Sequence, residues 1–531
     1  MSLTNSTKVK QYLPARSRRS FIETGATAAF GLALRRTDAG ALAEISRTSQ
    51  FDLRRGDLGN GTFLNPILAG DHPDAGAIRV GNDYYLTHTT FSYTPGLYIW
   101  HSIDLVNWTL INAALKKFYG EIWAPYLCEH KGHFYIYFPC SGKLTVVHAD
   151  SPDGDWSEPI FLGVDGIDPS HIATPEGERY LYFAGGRIIK LSADGLSVEG
   201  AARTIMQPWP IPLDWRVECE CLEAPKATYR NGYYYLTVAE GGTAGPATSH
   251  MVLSARSQNV DGPWEYSPFN PIVHTQSRAE RWWSKGHGRL VEAADKSWWM
   301  TCHSYENGYP SLGRQLLLLP VEWTVDGWYR VPAGISASQP LPMPHRSTAV
   351  AKASAHRENP WPTAGLEWQF WKSYDLTRLR VDGDALVIAA KGDSVATSSV
   401  ITSITGDHSY TVEVDVEVEP GCDAGLILFY DEKHFVGFNL GLKGLEIHPH
   451  GSGRIQASRA TVRIVNDDQE ADFYYRLPGK EWTKFRSSMD ITSYNNNALG
   501  GFLDLRPALY SCGSGHASFR AYRYQAGAIK P

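Results

Sequence analysis

Three carboxylic acids, Asp74, Asp168 and Glu223, stand beside a proline or one residue from it, each where a strand-like run begins. Side chains of this kind suit acetal hydrolysis. That reaction needs one carboxyl to deliver a proton to the leaving oxygen and a second to work on the opposite face of the sugar. The donor must have a raised pKa, through partial burial or a neighbouring carboxylate, while its counterpart stays ionised. A third carboxylate can tune the donor. The adjacent prolines restrict the backbone and help to fix where each carboxyl points.

Residues so far apart meet only if the fold gathers them. Between Pro73 and Val331 one pattern recurs five times: a polar or acidic turn, an apolar strand, a Gly or Asp turn, an aromatic-rich strand and an Asp/Trp-containing hairpin. The openings are His72-Pro73-Asp74, Trp123-Ala124-Pro125, Asp168-Pro169-Ser170-His171, Glu223-Ala224-Pro225 and Gly286-His287-Gly288. Their spacing, roughly 45 to 60 residues, is that of a four-stranded propeller blade. Gly81-Asn82-Asp83, Lys131-Gly132 and Asn231-Gly232 are hairpin signals within the repeats. The first strand of every blade lines the axis, so Asp74, Asp168 and Glu223 are expected to share one funnel.

After Asp326-Gly327-Trp328 the texture becomes rich in Pro, Ala and Ser, a linker composition. Alternation then resumes in Tyr410 to Val418 and Ala424 to Tyr430 without helical periodicity, which predicts a two-sheet sandwich. The chain reads as all-β: an export signal over 1–43, an N-terminal extension over 44–64, a five-bladed propeller over 65–335, a linker over 336–362 and an accessory β-sandwich over 363–531.

The balance of 50 basic against 56 acidic side chains gives no electrostatic footprint for nucleic acid or an anionic membrane. No stretch approaches the roughly 20 apolar residues that span a bilayer. Aromatics are plentiful, with 17 Trp and 28 Tyr, and flat amphipathic rings suit both strand packing and the apolar faces of sugars. Seven scattered cysteines show neither a disulfide framework nor a zinc pattern; Cys219 and Cys221 point the same way on an expected strand but are poorly placed to bridge. Ser17-Arg18-Arg19-Ser20-Phe21-Ile22, a weakly apolar run to Leu34 and Ala41-Leu42-Ala43 read as a twin-arginine signal, and hence export to the periplasm or beyond.

Asn65-Pro66-Ile67-Leu68-Ala69-Gly70 leading to Pro73-Asp74, then Trp123-Ala124-Pro125, Gly166-Ile167-Asp168-Pro169-Ser170, Glu223-Ala224-Pro225 ahead of Asn231-Gly232-Tyr233-Tyr234, and Gly286-His287-Gly288 ahead of Gly313-Arg314 and Pro320-Val321-Glu322-Trp323 together resemble glycoside hydrolase family 43. The tail resembles the concanavalin-like sandwich of many β-xylosidases in that family. The resemblance implies that Asp74 is the general base, Glu223 the general acid and Asp168 the carboxylate that orients and tunes it. It also implies an inverting mechanism and cleavage of terminal pentoses from xylo- or arabino-oligosaccharides, with β-D-xylosidase preferred and α-L-arabinofuranosidase the alternative. Phe91 and Trp123 match walls of the sugar subsite, Arg314 matches an arginine that bonds sugar hydroxyls, and Phe502 corresponds loosely to an aromatic that caps the pocket. No cofactor is required, although His287 matches an axial histidine that sits near a water-coordinated structural calcium in several members. Ala75, Ala224 and Lys226 depart from the family pattern, where Pro, Gly and His are common.

Each of these residues also has a plain reading. Asp71 rivals Asp74, Asp165 rivals Asp168, and Glu218 and Glu220 rival Glu223. Trp123 could be inter-blade packing, His287 a core histidine and Arg314 a surface ion-pair partner. A function of another class, a catalytically silent propeller that binds glycans through Trp123, Phe91 and Arg314, does not need an acid and a base held apart.

Overall fold

A computed structural model describes residues 54–344, 366, 368–448 and 452–531. The expected export signal lies outside these residues, as does most of the expected linker. Among the described residues the one α-helix is the single turn Asn496–Leu499, and no helix is long and apolar enough to cross a membrane.

Five antiparallel sheets follow one another along the chain, four of them four-stranded and the fourth in order carrying a short fifth strand, Val273–His274. Their first strands are Gly76–Val80, Tyr126–His130, Ser170–Ala173, Cys219–Arg230 and Trp282–Glu292. These strands touch in sequence and the fifth returns to the first, which closes the ring of a propeller. Tight turns make the blades possible. Lys131-Gly132 and Asn231-Gly232 both take positive φ at each residue, the geometry of a two-residue hairpin turn, and connect His130 to His133 and Arg230 to Tyr233 in register.

Between blades the strands bury alternate apolar side chains. Leu127, Ile136, Phe138 and Val147 fill one gap, Leu181, Phe183 and Ile189 the next, and Leu236, Val238 and Leu253 another. Each such side chain stabilises the ring by about 1.5–3 kcal/mol relative to exposure. The segment that leads to Asp74 is tied to the last blade: Ile67 N–H donates to Leu316 O, Leu316 N–H to Leu68 O, and His72 N–H to Arg314 O, at 2.9, 3.1 and 2.9 Å. Asp74 is therefore held from two blades at once.

The C-terminal part forms two stacked sheets of eight and seven strands. In Tyr410–Val418 the valines 412, 414 and 416 are buried while Glu413 and Asp415 are partly exposed, the alternation expected of a half-buried strand. Cys422–Phe429 is instead buried along nearly its whole length, and its cluster includes Phe91 and Tyr93 of the propeller. The eighth strand of that sheet is Tyr93–Thr94, a propeller loop that pairs with Gln369–Trp371 of the sandwich. Arg506 reinforces the junction, its guanidinium 3.8 Å from the Tyr93 ring centroid and hydrogen-bonded to Gln369 and Asp504.

One expectation is overturned. Cys219 and Cys221 form a disulfide. A register irregularity between Cys219 and Glu223 breaks the regular pleat there, and the two Cα atoms stand 5.3 Å apart, within the range a disulfide spans. The remaining five cysteines are free and buried.

Candidate active site

Every blade places at least one non-glycine residue with positive φ at its inner strand or just before it: Asp74 (61°), Ala124 (29°), Asp168 (56°), Ala224 (51°), and in the fifth both Ser284 (50°) and His287 (55°). Such backbone costs of order 1–3 kcal/mol per residue and persists only where the surroundings over-determine it. Ladder irregularities flank Glu223 in the fourth blade and Gly286, the neighbour of His287, in the fifth. Bulges of this kind re-aim side chains, and here they turn the axial residues toward one mouth of the ring.

All eight sequence-predicted site residues line one cavity of about 670 Å³: Asp74, Phe91, Trp123, Asp168, Glu223, His287, Arg314 and Phe502. That volume lies within the usual range of small-molecule sites. The rivals lie elsewhere. Asp71 is buried at the domain junction, where it accepts the Arg314 backbone N–H at 2.9 Å and faces Arg506. Glu218 accepts from Ala244 N–H, and Glu220 and Asp165 are exposed.

Asp74 is enclosed by basic side chains. Its Oδ1 lies 2.9 Å from Arg314 Nη1, 3.1 Å from His303 Nδ1 and 3.3 Å from His287 Nδ1. Its Oδ2 accepts the Thr89 hydroxyl, which in turn accepts Ala124 N–H and so ties the first blade to the second. Burial alone would raise the Asp74 pKa, but the Arg314 charge, followed by the two histidines, outweighs it and holds the carboxyl well below the usual range. Asp168 has the opposite balance. Burial first and the Glu223 charge second push it up to about 7, against the pull of Lys226, and its Oδ2 accepts the Ala224 N–H at 2.9 Å, one residue beyond Glu223.

Glu223 is the most accessible of the three, with its side chain 22% exposed. Phe91 and Ile122 exchange backbone hydrogen bonds at 2.9 and 3.0 Å, which fixes one aromatic wall. Phe502 arrives from the sandwich with φ of 58°. Arg314 lies between the two rings, 5.9 Å from the Phe91 centroid and 5.3 Å from that of Phe502. Trp123 is partly buried against the sandwich core, so it serves as pocket wall and domain contact together.

Sequence reasoning missed several contributors. His250 and His303 are buried behind the carboxyls. His303 Nδ1 accepts the Asp74 N–H at 3.0 Å, and burial pushes its pKa down to about 3, so the neutral ring carries its proton on Nε2. That nitrogen faces Thr243 Oγ1 at 3.2 Å and His250 Nδ1 at 3.3 Å. Also unforeseen is the outer wall, where Trp371, Lys372 and residues 431–434 of the sandwich join the cavity lining.

Asp74, His287 and His303 present ligand atoms within 4.8 Å of one another, a grouping that could be read as a metal centre. The donors do not fit a directly bound cation. Arg314 already occupies Asp74 Oδ1, and His303 Nδ1 is taken by a backbone N–H. The buried Lys226 adds a second positive charge that acts on His287.

The family model described as Glycosyl hydrolases family 43 matches residues 63–329, and that for the beta xylosidase C-terminal concanavalin A-like domain matches residues 361–525. The chain is 31% identical to a xylan 1,3-β-xylosidase of a Vibrio species, covering 87% of this chain and 99% of that protein. It is 27% identical to a non-reducing end α-L-arabinofuranosidase of Bacteroides ovatus, covering 87% and 93%. Among solved structures it superimposes with a TM-score of 0.77 on a GH43 protein, BlXynB, of Bacillus licheniformis, at 26% identity over 88% of this chain and all of that one. With a family match over half the chain, a 31% identical relative over nearly its full length and an axial cluster of carboxyls in one sugar-sized cavity, the protein belongs to glycosyl hydrolase family 43 and is a glycosidase.

Proposed function

We propose that this enzyme removes terminal pentose residues from plant cell-wall oligosaccharides with inversion, and that its principal activity is that of a β-D-xylosidase. The observation that carries this reading is the unequal treatment of three carboxyls around one cavity. Asp74 is held ionised by Arg314, as a base that activates water must be, while Asp168, close to the candidate acid, is pushed up to about 7 by burial first and by the Glu223 charge second. Asp168 orients the acid through the Ala224 N–H and tunes it through its charge. Phe91, Trp123 and Phe502 provide flat apolar surfaces for a sugar ring. Arg314 Nε and His287 Nε2 are buried without a partner in the protein, and sugar hydroxyls would satisfy them. A lectin would have no use for this separation of pKa values.

The preference for xylose draws on the xylosidase-type sandwich and on the Vibrio relative; the Bacteroides relative keeps α-L-arabinofuranosidase as the alternative. Side-by-side assay of an aryl β-xyloside and an aryl α-L-arabinofuranoside is expected to give at least tenfold higher kcat/KM for the xyloside, with α-xylose as the first product seen by proton NMR. A reversed preference would reassign the sugar, and β-xylose as first product would exclude inversion.

The enzyme is also proposed to act without a metal ion, because Arg314 and Lys226 already supply positive charge beside Asp74 and His287. Treatment with excess EDTA should leave kcat/KM within twofold; a large loss restored by calcium would contradict this. Export through the twin-arginine route is proposed from the Ser17 to Ile22 pattern, and the Cys219–Cys221 disulfide suits an oxidising compartment.

A further inference from the structure

Glu223 has one close side-chain partner of opposite character, His250, whose Nε2 lies 3.1 Å from Glu223 Oε1. The imidazole is fully buried, its Nε2 has no other acceptor, and the approach to Oε1 is off the line of a good hydrogen bond. Catalytic hydrogen bonds are often loose before substrate arrives and tighten in the complex. The ring has little freedom to serve anything else. Its Nδ1 edge packs on Gly286, where a Cβ would lie 2.0 Å from that nitrogen, so the absence of a side chain at 286 makes room for it.

Its protonation follows from the contacts behind it. The Asp74 N–H fixes His303 with its proton on Nε2, and that N–H, shared with Thr243, faces His250 Nδ1. His250 Nδ1 is then the acceptor, which leaves the proton on Nε2, facing Glu223. The chain of groups starts at the backbone of the candidate base and ends on the carboxyl of the candidate acid.

We propose that His250 is the positioning residue of the acid: its Nε2–H holds Glu223 Oε1 in the orientation for proton delivery and stabilises the carboxylate left afterwards. His250 does not line the cavity, so it acts on the sugar only through Glu223. This rests on Glu223 being the acid, and the two ideas fail separately.

The test is His250→Phe, which keeps a planar ring without the donor, beside His250→Gln, whose side-chain amide places a donor near the position of Nε2. For His250→Phe, kcat on xylobiose should fall on the order of 100-fold, within the usual worth of general acid catalysis, while KM stays within about twofold. On a 2,4-dinitrophenyl xyloside, which needs little protonation, kcat should fall less than about fivefold, and His250→Gln should recover at least tenfold of the xylobiose loss. Equal losses on both substrates, or no recovery by glutamine, would overturn the proposal even if Glu223→Ala discriminates between the same two substrates. Equal losses in Glu223→Ala would instead remove the acid assignment beneath it. If His250→Phe does not fold, His250→Met makes the same donor-less comparison.

Discussion

Asp74→Asn eliminates turnover of every glycoside, activated or not, with kcat lowered on the order of 10³- to 10⁴-fold, the upper range for loss of a general base. Attack by water is needed whatever the leaving group, so no substrate escapes. Asparagine is the informative replacement because its carbonyl, placed where Oδ1 stands, can still accept from Arg314, while its amide faces the Thr89 hydroxyl that meets Oδ2 in the wild type. Both replacements remove the carboxylate that pairs with the buried Arg314, and breaking a buried ion pair costs about 3–5 kcal/mol; asparagine keeps an acceptor for the guanidinium, whereas alanine leaves none. A single cooperative melting transition, at a Tm higher than that of Asp74→Ala, with catalysis lost on both xylobiose and a 2,4-dinitrophenyl xyloside is the expected pair of results. Residual rate within tenfold of wild type would move the base elsewhere.

The second large effect depends on the substrate. Glu223→Ala should lower kcat on xylobiose by 10²- to 10⁴-fold but that on a 2,4-dinitrophenyl xyloside by less than about tenfold, since only the first leaving group must be protonated. The pH profile gives a further readout. Asp168 is pushed up to about 7 by burial and then by Glu223. Below that pH the pair keeps a proton, and as pH rises through it the proton leaves, so wild-type activity falls on the basic side from near neutrality. Asp74, held far below its ordinary value, stays ionised throughout. In Glu223→Ala the repulsion and the transferable proton are both gone, and the basic fall should vanish on the activated substrate. Similar losses on the two substrates would discard Glu223 as the acid.

The carboxyls were legible because blade openings are short, proline-flanked and repeated, so each stands at the same point of a recurring strand pattern. Arg314 could be named, and His287 given a role beyond its place at a blade opening, only through the family resemblance. His250 and His303 carried no local signal. One precedes the third strand of its blade and the other lies in the second strand of the next, and only their packing against Gly286 and the Asp74 N–H gives them a role. The left-handed backbone at Ala124 and Ala224 is equally silent, because neither residue type favours it. The Cys219–Cys221 bridge was missed since a regular strand was assumed where the ladder is irregular. The pairing of Tyr93–Thr94 with Gln369–Trp371 joins segments nearly three hundred positions apart, and residue patterns report faces of strands rather than distant partners.

That shared sheet has a bearing on chimeras. Tyr93–Thr94 follows within a few residues of Thr89 and Phe91, so a cut placed between the two folds would strip a ladder partner from the very loop that braces the base and walls the sugar. Grafting a foreign sandwich onto this ring would have to bring a matching edge strand and a counterpart of Arg506. The sensible unit of exchange is thus the pair of folds together, and shuffling either one alone invites loss of the catalyst along with the seam.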